Sequence, residues 1–366
     1  MRWDAQRLDF DEPSTLPGLP DVRGLLRSVQ VPEFPGLTFH EVRAKSALNA
    51  VPKGSAMPFG HTINPYRGCS HACVYCYSRG THEWLELDSG ADFDQQIVVK
   101  TNLVDVLRRE LARPSWQREH VALGTNTDPY QRAEGRYRLM PGVIDALARS
   151  GTPFSVLTKG TLARRDVPRL AAASRDVPVG MGVSMAIWDD DLHAALEPGV
   201  PTPRARLDLV RAITDAGLPC GVFLAPVLPG LTDRMEHLEA AIGAIAAAGA
   251  TGVTVLPLHL RPGAREWFTA WLSREHPGLV GRYRQLYGRG AYVPAEYRSW
   301  LAGRVAPVLA RYGLDRQSGG VARGVDAGSS LGLPGDESVG FPAGSLPTRR
   351  PEPASIDEAP EQLSLC

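Results

Sequence analysis

Apolar and polar positions along the chain follow two alternating rhythms from residue 56 to about residue 265. Short, nearly continuous apolar runs are each followed by a stretch whose apolar residues recur at helical spacing. A short strand near residue 57 leads into the loop HTINPYRGC. In TNLVDVLRRELAR (101–113), Leu103, Val106, Leu107 and Leu111 share one helical face, and Asn102 is available as a cap. The pattern then predicts strands over 120–128, 153–160, 177–185, 218–230 and 251–260. Helices are predicted over 141–151, 164–174, 203–217 and 235–249, with Gly151 closing the first of these. That makes six strand-then-helix units. Apolar strands alternating with helices imply parallel strands covered by helices. Six units over roughly 200 residues fit a curved open sheet or partial barrel better than a complete eight-unit barrel. A doubly wound open sheet is the competing fold.

The flanks read differently. Residues 1–55 form an N-terminal extension with a short helix expected over 22–29 and a strand over 38–44. Residues 266–314 carry helical patterns that pack on the 56–265 core. After Gly313 the chain turns to Gly, Ser, Pro and acidic residues, so 315–366 is expected to be a disordered tail.

Composition narrows the function. The 366 residues are 43% hydrophobic, enough for a sizeable core. Lys+Arg and Asp+Glu are 40 each, so any nucleic-acid contact must come from a local basic surface. The N-terminus has no signal-peptide core, and no run reaches the roughly 18 apolar residues of a membrane span. The expected compartment is the cytoplasm, with no membrane contact. Five cysteines exclude a disulfide scaffold. Three of them, Cys69, Cys73 and Cys76, fall in NPYRGCSHACVYCYSRG, while Cys220 and Cys366 are solitary. Lysine is confined to Lys45, Lys53, Lys100 and Lys159.

Spaced Cys-x3-Cys-x2-Cys, three thiolates can converge on one inorganic centre. With His61 or His71 they would make a Cys3His zinc site. Alternatively, they would hold a 4Fe–4S cluster with one iron left open to a ligand. The loop's place after a first strand, where strand-to-helix loops build active sites, favours the cluster.

Cys-x3-Cys-x2-Cys with Tyr75 just before the last cysteine resembles the signature of the radical S-adenosylmethionine (SAM) superfamily, over roughly residues 56–265. The resemblance implies a partial (βα)6 TIM-like barrel with helical C-terminal additions. It implies a 4Fe–4S cluster on Cys69, Cys73 and Cys76, whose fourth iron is chelated by the amino and carboxylate groups of SAM. A reducing partner such as flavodoxin or ferredoxin would drive cleavage to a 5′-deoxyadenosyl radical, which abstracts hydrogen from a substrate. Within the superfamily, Gly68-Cys69-x-His71-x-Cys73-x-Tyr75-Cys76-Tyr77, with Thr127-Asp128, Thr158-Lys159 and Val183-Ser184 downstream, is most similar to spore photoproduct lyase and its relatives. That likeness puts Thr127 and Asp128 near the SAM amino group, Lys159 at its carboxylate and Ser184 beside it. Tyr75 and Tyr77 would stack near adenine or shield the cluster. A hydroxyl and a carboxylate at a strand end also suit an ammonium on charge grounds alone.

One residue departs from the lyase pattern. Thr125 stands where the lyases have a hydrogen-donating cysteine, and an O–H bond is much stronger than an S–H bond. Hydrogen return by the lyase route is therefore not expected. Asp128, Pro129, Tyr130, Gln131 and Glu134 either position substrate or rigidify their loop. His259 and Arg261, just past the sixth strand, could meet a carboxylate or phosphate. Cys220 reads as a core thiol. Near the C-terminus, 362–366 (QLSLC) resembles the peptide by which bacterial repair enzymes dock on the DNA sliding clamp. Three functions compete: a radical SAM enzyme acting on a nucleic-acid lesion or modified base, one acting on a peptide or small metabolite, and a non-catalytic metal-bearing binding protein.

Overall fold

The computed structural model describes residues 24–52, 55, 57–318 and 340–348. Its main sheet takes six strands in chain order: β4 (His61–Ile63), β7 (Val121–Leu123), β8 (Phe154–Thr158), β9 (Val179–Ser184), β10 (Gly221–Val227) and β11 (Gly252–Pro257). Every neighbouring pair among these six is parallel. The short β3 (Asn49–Ala50) adds antiparallel to β4 at one edge. Sequential order with no reversal excludes the doubly wound alternative, whose strand order switches direction. The sheet is that of a (βα)6 partial barrel with two open edges.

Helices cover one face, because the apolar residues are spaced to put them there. In α2 (Leu103–Leu111) the buried positions are Leu103, Val106, Leu107, Glu110 and Leu111. They pack with α4 (Leu139–Arg149), α5 (Val167–Ala173), α7 (Pro203–Asp215) and α8 (Met235–Ala247) on Ile63, Val121, Leu123, Phe154, Val156, Val179, Met181, Val183, Val222, Leu224 and Val253. Cys220, fully buried just before β10, belongs to this core as expected. Since side chains alternate along a strand, Gly180, Gly182 and Ser184 of β9 face the opposite side, the lumen, and so does Asn64 after Ile63. Helices α9 (Ala264–Glu275), α10 (Val280–Tyr287) and α11 (Ala295–Tyr312) follow the last strand. α11 packs on the α8 and β11 side. Among the described residues no helix is long and apolar enough to cross a membrane.

Three expectations are corrected. The segment read as a helix over 22–29 is strand β1 (Leu25–Gln30), antiparallel to β2 (Thr38–Val42). Its Leu, Arg and Gln favour helix, but the ladder to β2 overrides that local preference. β2 in turn runs parallel to β6 (Gln96–Lys100), and β6 pairs antiparallel with β5 (Tyr66–Arg67). This second sheet crosses the boundary placed at residue 55, so the described part of the extension is built into the core. Asn102 takes the N-cap position of α2, but its side chain makes no capping bond. Its side chain accepts from Ala44 N at 2.7 Å and donates to Ala44 O at 3.0 Å, tying the β2 exit to the helix start.

The third correction concerns the tail. Residues 340–348 return to the main sheet and close the lumen at the amino ends of β9, β10 and β11. Met181 N donates to Gly344 O at 2.8 Å, and the hydroxyls of Thr251 and Thr254 donate to Ala343 O at 2.6 Å and Gly340 O at 2.7 Å. Phe341 meets Phe223 edge to face, with centroids 5.7 Å apart, and Leu346 is 2% exposed. The glycines beneath make room: a Cβ on Gly180 would lie 2.5 Å from Leu346 C, and one on Gly252 2.5 Å from Arg316 O. The clamp-like peptide at 362–366 lies outside the described residues.

Candidate active site

The cysteine loop leaves β4 at the carboxyl end of the parallel sheet, the end at which sheets of this kind carry their chemistry. It is held by backbone and buried side chains. Gly68 turns at φ +74, where a Cβ would lie 2.8 Å from Gln96 O. Cys69 N donates to Phe93 O at 2.9 Å, and Val74 N to Leu196 O at 2.9 Å. Gln131, fully buried, clamps both sides of Cys69: it accepts from Ser70 N and donates to Gly68 O, each at 2.9 Å. Arg79 is also fully buried. It donates to Cys73 O at 3.2 and 2.9 Å and to Asp94 at 2.9 and 3.0 Å, with Phe93 and Trp267 against its guanidinium. These polar groups fix the loop where no regular structure does.

Cys69, Cys73 and Cys76 are free thiols in this loop, the first two 7% exposed. Burial pushes all three above their ordinary pKa. Backbone N–H groups of Asp128 and His71 facing Cys69, and that of Ser78 facing Cys76, pull the other way. Such thiols become thiolates when a metal centre supplies the compensating positive charge. Neither histidine of the zinc reading completes a site. His71 Nδ1 lies 3.4 Å from Asp128 Oδ2, and His61 Nδ1 lies 3.2 Å from Glu119 Oε2. Among the described residues, no three His, Cys, Asp or Glu side chains converge on the position of a single ion.

The other six expected contacts fall into three groups. Tyr75, Lys159 and Ser184 come together: the Lys159 ammonium donates to Ser184 Oγ at 2.9 Å and to the Tyr75 hydroxyl at 3.3 Å. Thr127 and Asp128 are spent on the frame. Thr127 Oγ1 donates to Tyr66 O at 2.9 Å. The Asp128 carboxylate accepts from Tyr130 N at 2.8 Å, Thr158 Oγ1 at 2.7 Å and Lys159 N at 2.6 Å. Asp128 thus joins the loops after β7 and β8. Gly124, at φ +86, lets those loops close, since a Cβ there would lie 1.8 Å from Leu157 O. Tyr77 stands apart at the rim, 37% exposed, with its hydroxyl donating to Thr125 O. Arg261 lies over its ring at 5.4 Å, and His259 sits between it and Tyr292, with centroids 5.4 and 5.6 Å away. Tyr130, Gln131 and Glu134 take the rigidifying role. Glu134, fully buried, accepts from Tyr66 OH at 2.6 Å, Arg165 at 2.6 Å and Leu139 N at 2.9 Å.

Sequence reasoning missed Arg79, Glu197, Arg206 and Asn64. Glu197, just past α6 (Asp190–Leu196), is fully buried between Lys159 at 3.2 Å and Arg206 at 2.7 Å, and Tyr75 OH donates to it. Burial alone would raise its pKa, but Arg206 and Lys159 outweigh that and hold it at about 2. Asn64 is 2% exposed, and neither atom of its amide has a hydrogen-bond partner. A buried amide left so costs on the order of 1–3 kcal/mol per group, which a bound ligand or water relieves.

A model of the radical SAM superfamily matches residues 63–241, the segment that carries the cysteine loop and the strand-end contacts. Residues 63–241 form a radical SAM domain. An uncharacterised protein of Mycobacterium tuberculosis is 60% identical over 318 residues, 86% of this chain and 93% of its own length. One from Acidianus two-tailed virus is 26% identical over 215 residues, 57% of this chain and 70% of its own. Among solved structures, a tyrosine-to-phenylalanine mutant of spore photoproduct lyase has a TM-score of 0.56 at 15% identity, covering 74% of this chain and 78% of that one. The same lyase complexed with a dinucleoside spore photoproduct has a TM-score of 0.55 at 14% identity, covering 75% and 79%. At such identities the likeness is one of fold. The radical SAM domain makes the protein an enzyme and implies use of SAM and an iron–sulfur centre.

Proposed function

We propose that the protein holds a 4Fe–4S cluster on Cys69, Cys73 and Cys76 and binds SAM against Tyr75, Lys159 and Ser184. Its substrate would be a nucleic-acid lesion or modified base. The observation carrying the reading is the set of three free, nearly buried thiols at the carboxyl end of a six-stranded parallel sheet, with one ammonium held toward the lumen beside them. A cluster asks for one thiolate per iron rather than convergence on one ion, so this donor set suits it better than zinc. A cluster held by Cys69, Cys73 and Cys76 and reduced by a flavodoxin- or ferredoxin-like donor would supply the electron for cleavage of SAM to a 5′-deoxyadenosyl radical.

The chain's own residues do the rest. Lys159 offers a cation to the SAM carboxylate, a charge-assisted contact in a site screened from water. Tyr75 packs against that cation with its ring 5.6 Å away. The unpartnered Asn64 amide gives the lumen a paired donor and acceptor for a ligand. Asp128 serves by orienting the backbone of Lys159 rather than by meeting SAM itself. Nucleic acid is favoured as substrate by the shared fold with a lyase that binds a dinucleoside photoproduct, and by the exposed Arg261–Tyr77 pair at the rim, which suits a base face and a phosphate. Thr125 sets the chemistry apart, since the hydrogen must return to the product from another donor.

The test is SAM cleavage by the anaerobically reconstituted enzyme with intact DNA, ultraviolet-irradiated DNA, or a peptide mixture. Stimulated 5′-deoxyadenosine release with irradiated DNA, and altered nucleosides by mass spectrometry, are expected. Stimulation by peptides alone would move the substrate class to the competing reading.

A further inference from the structure

Behind the proposed SAM contacts lies a buried charge group. Glu197 and Arg206 are fully buried, and the Lys159 side chain, 15% exposed, is the member that reaches the lumen. The carboxylate divides its work between its two oxygens. Oε2 accepts from Arg206 Nη2 at 2.7 Å and lies 3.3 Å from His193 Nε2. Oε1 accepts from Tyr75 OH and lies 3.2 Å from Lys159 Nζ. Arg206 also donates to Ser184 O at 2.9 Å. One side chain thus ties the cysteine loop, the β8 end and, through Arg206, the β9 end.

The main chain reinforces this link. Gly199 N donates to His71 O at 3.1 Å, and a Cβ on Gly199 would lie 2.1 Å from Ser70 O. The segment that carries Glu197 is therefore docked on the cysteine loop with no slack. As a mere counter-ion for Arg206, Glu197 would need only Oε2. Oε1 is committed instead to two groups that line the ligand side. Burial lowers the His193 pKa, which favours its neutral ring, so within this group two cations face one anion and the excess positive charge lies on the most accessible member, Lys159.

We propose that Glu197 is a positioning residue of the SAM pocket. It fixes the Lys159 ammonium and the Tyr75 hydroxyl so that the ammonium faces the SAM carboxylate. The inference rests on the proposed SAM contact of Lys159. Of the three contacts of that ammonium, the one to Tyr75 is the longest, at 3.3 Å, and is the one an incoming carboxylate replaces.

The experiment measures SAM affinity by equilibrium dialysis on the full-length, anaerobically reconstituted protein, alongside iron content and thermal midpoint. The variants are Glu197→Gln, Arg206→Met, the double variant and Lys159→Met. Glu197→Gln keeps the shape and should weaken SAM binding about tenfold or more with iron content unchanged. Arg206→Met, which cuts the same tie to Ser184, should weaken it less. The double variant removes both buried charges. It should recover the thermal midpoint lost in Glu197→Gln while SAM affinity stays low, a split that a purely structural ion pair would not give. Parental SAM affinity in the double variant, or a loss in Glu197→Gln no larger than in Arg206→Met, would overturn the inference. Should Glu197→Gln fail to fold, the double variant decides alone. Parental affinity in Lys159→Met would overturn the underlying SAM contact instead, a result distinguishable from the first two.

Discussion

Gly180→Ala tests whether residues 340–348 are part of the folded core. The backbone of Gly180 has negative φ, so alanine fits it, and on an otherwise open strand the change would stabilise by about 0.4–1 kcal/mol through the unfolded state. The added methyl, however, would lie 2.5 Å from Leu346 C, 2.6 Å from Ser345 O and 2.7 Å from Leu346 Cα. All three are backbone atoms and cannot rotate away. Overpacking of this kind costs about 1–3 kcal/mol. The segment's alternative is to leave, exposing Leu346, whose burial is worth about 1.5–3 kcal/mol, and the hydroxyls of Thr251 and Thr254. After the backbone gain is subtracted, either route gives a net loss of about 0.5–2.5 kcal/mol, or a fall of about 2–4 °C per kcal/mol in thermal midpoint. The assay is denaturant and thermal unfolding of four proteins: parent, Gly180→Ala, a chain with 340–347 replaced by a Gly/Ser linker of equal length, and the combination. In the linker background the alanine should be neutral or stabilising, because the atoms it strikes are gone. Equal destabilisation in both backgrounds would refute the packing described for this segment.

Other consequences are as specific. Arg79→Met takes away the guanidinium that faces both oxygens of Asp94 in a largely buried site. It should cost about 3–5 kcal/mol and lower iron retention, read by unfolding and iron assay, with Arg79→Lys failing to restore the donors that reach Cys73 O, Gly90 O and Asp94 together. Gln131→Leu frees Gly68 O and Ser70 N. It should cost about 1–3 kcal/mol and speed iron loss to a chelator at unchanged fold by circular dichroism. Burial holds His82, His120 and His259 at about 4, below their unfolded value of 6.5. The unfolded chain therefore takes up protons first, and stability should fall as pH drops from 6.5 towards 4, by about 1.4 kcal/mol per pH unit for each histidine. Glu197 adds its own loss below 4.5, as pH approaches its folded value of about 2. Urea midpoints that stay flat between pH 6.5 and 5 would contradict these histidine environments.

The six parallel strands were legible because strands buried on both faces are written as unbroken apolar runs. The cysteine loop was legible through its spacing, and the places of Lys159 and Ser184 at the ends of β8 and β9 could be read from the strand pattern. Glu197 and Arg206 gave no such signal, because a charged residue beside a helix reads as a solvated one until tertiary contacts bury it. Arg79 was hidden the same way, although an arginine three residues after the last cysteine of such a loop is a place to look for an anchor. The closing segment misled most. Its Gly, Ser and Pro content matches a tail, yet small residues are what fit against Gly180, Gly221 and Gly252. The donors on the Asp128 carboxylate, Tyr130 N, Thr158 Oγ1 and Lys159 N, were not legible either, because two of them come from the neighbouring strand's loop.

The central claim, a redox-active cluster on three cysteines that acts on SAM, is tested most directly by anaerobic reconstitution of the parent and Cys73→Ala. Iron, sulfide and zinc are measured, then 5′-deoxyadenosine after addition of SAM and dithionite. About four irons and four sulfides per parent chain with 5′-deoxyadenosine formed, and both lost in Cys73→Ala, is the predicted result. One zinc per chain with no SAM cleavage would contradict it.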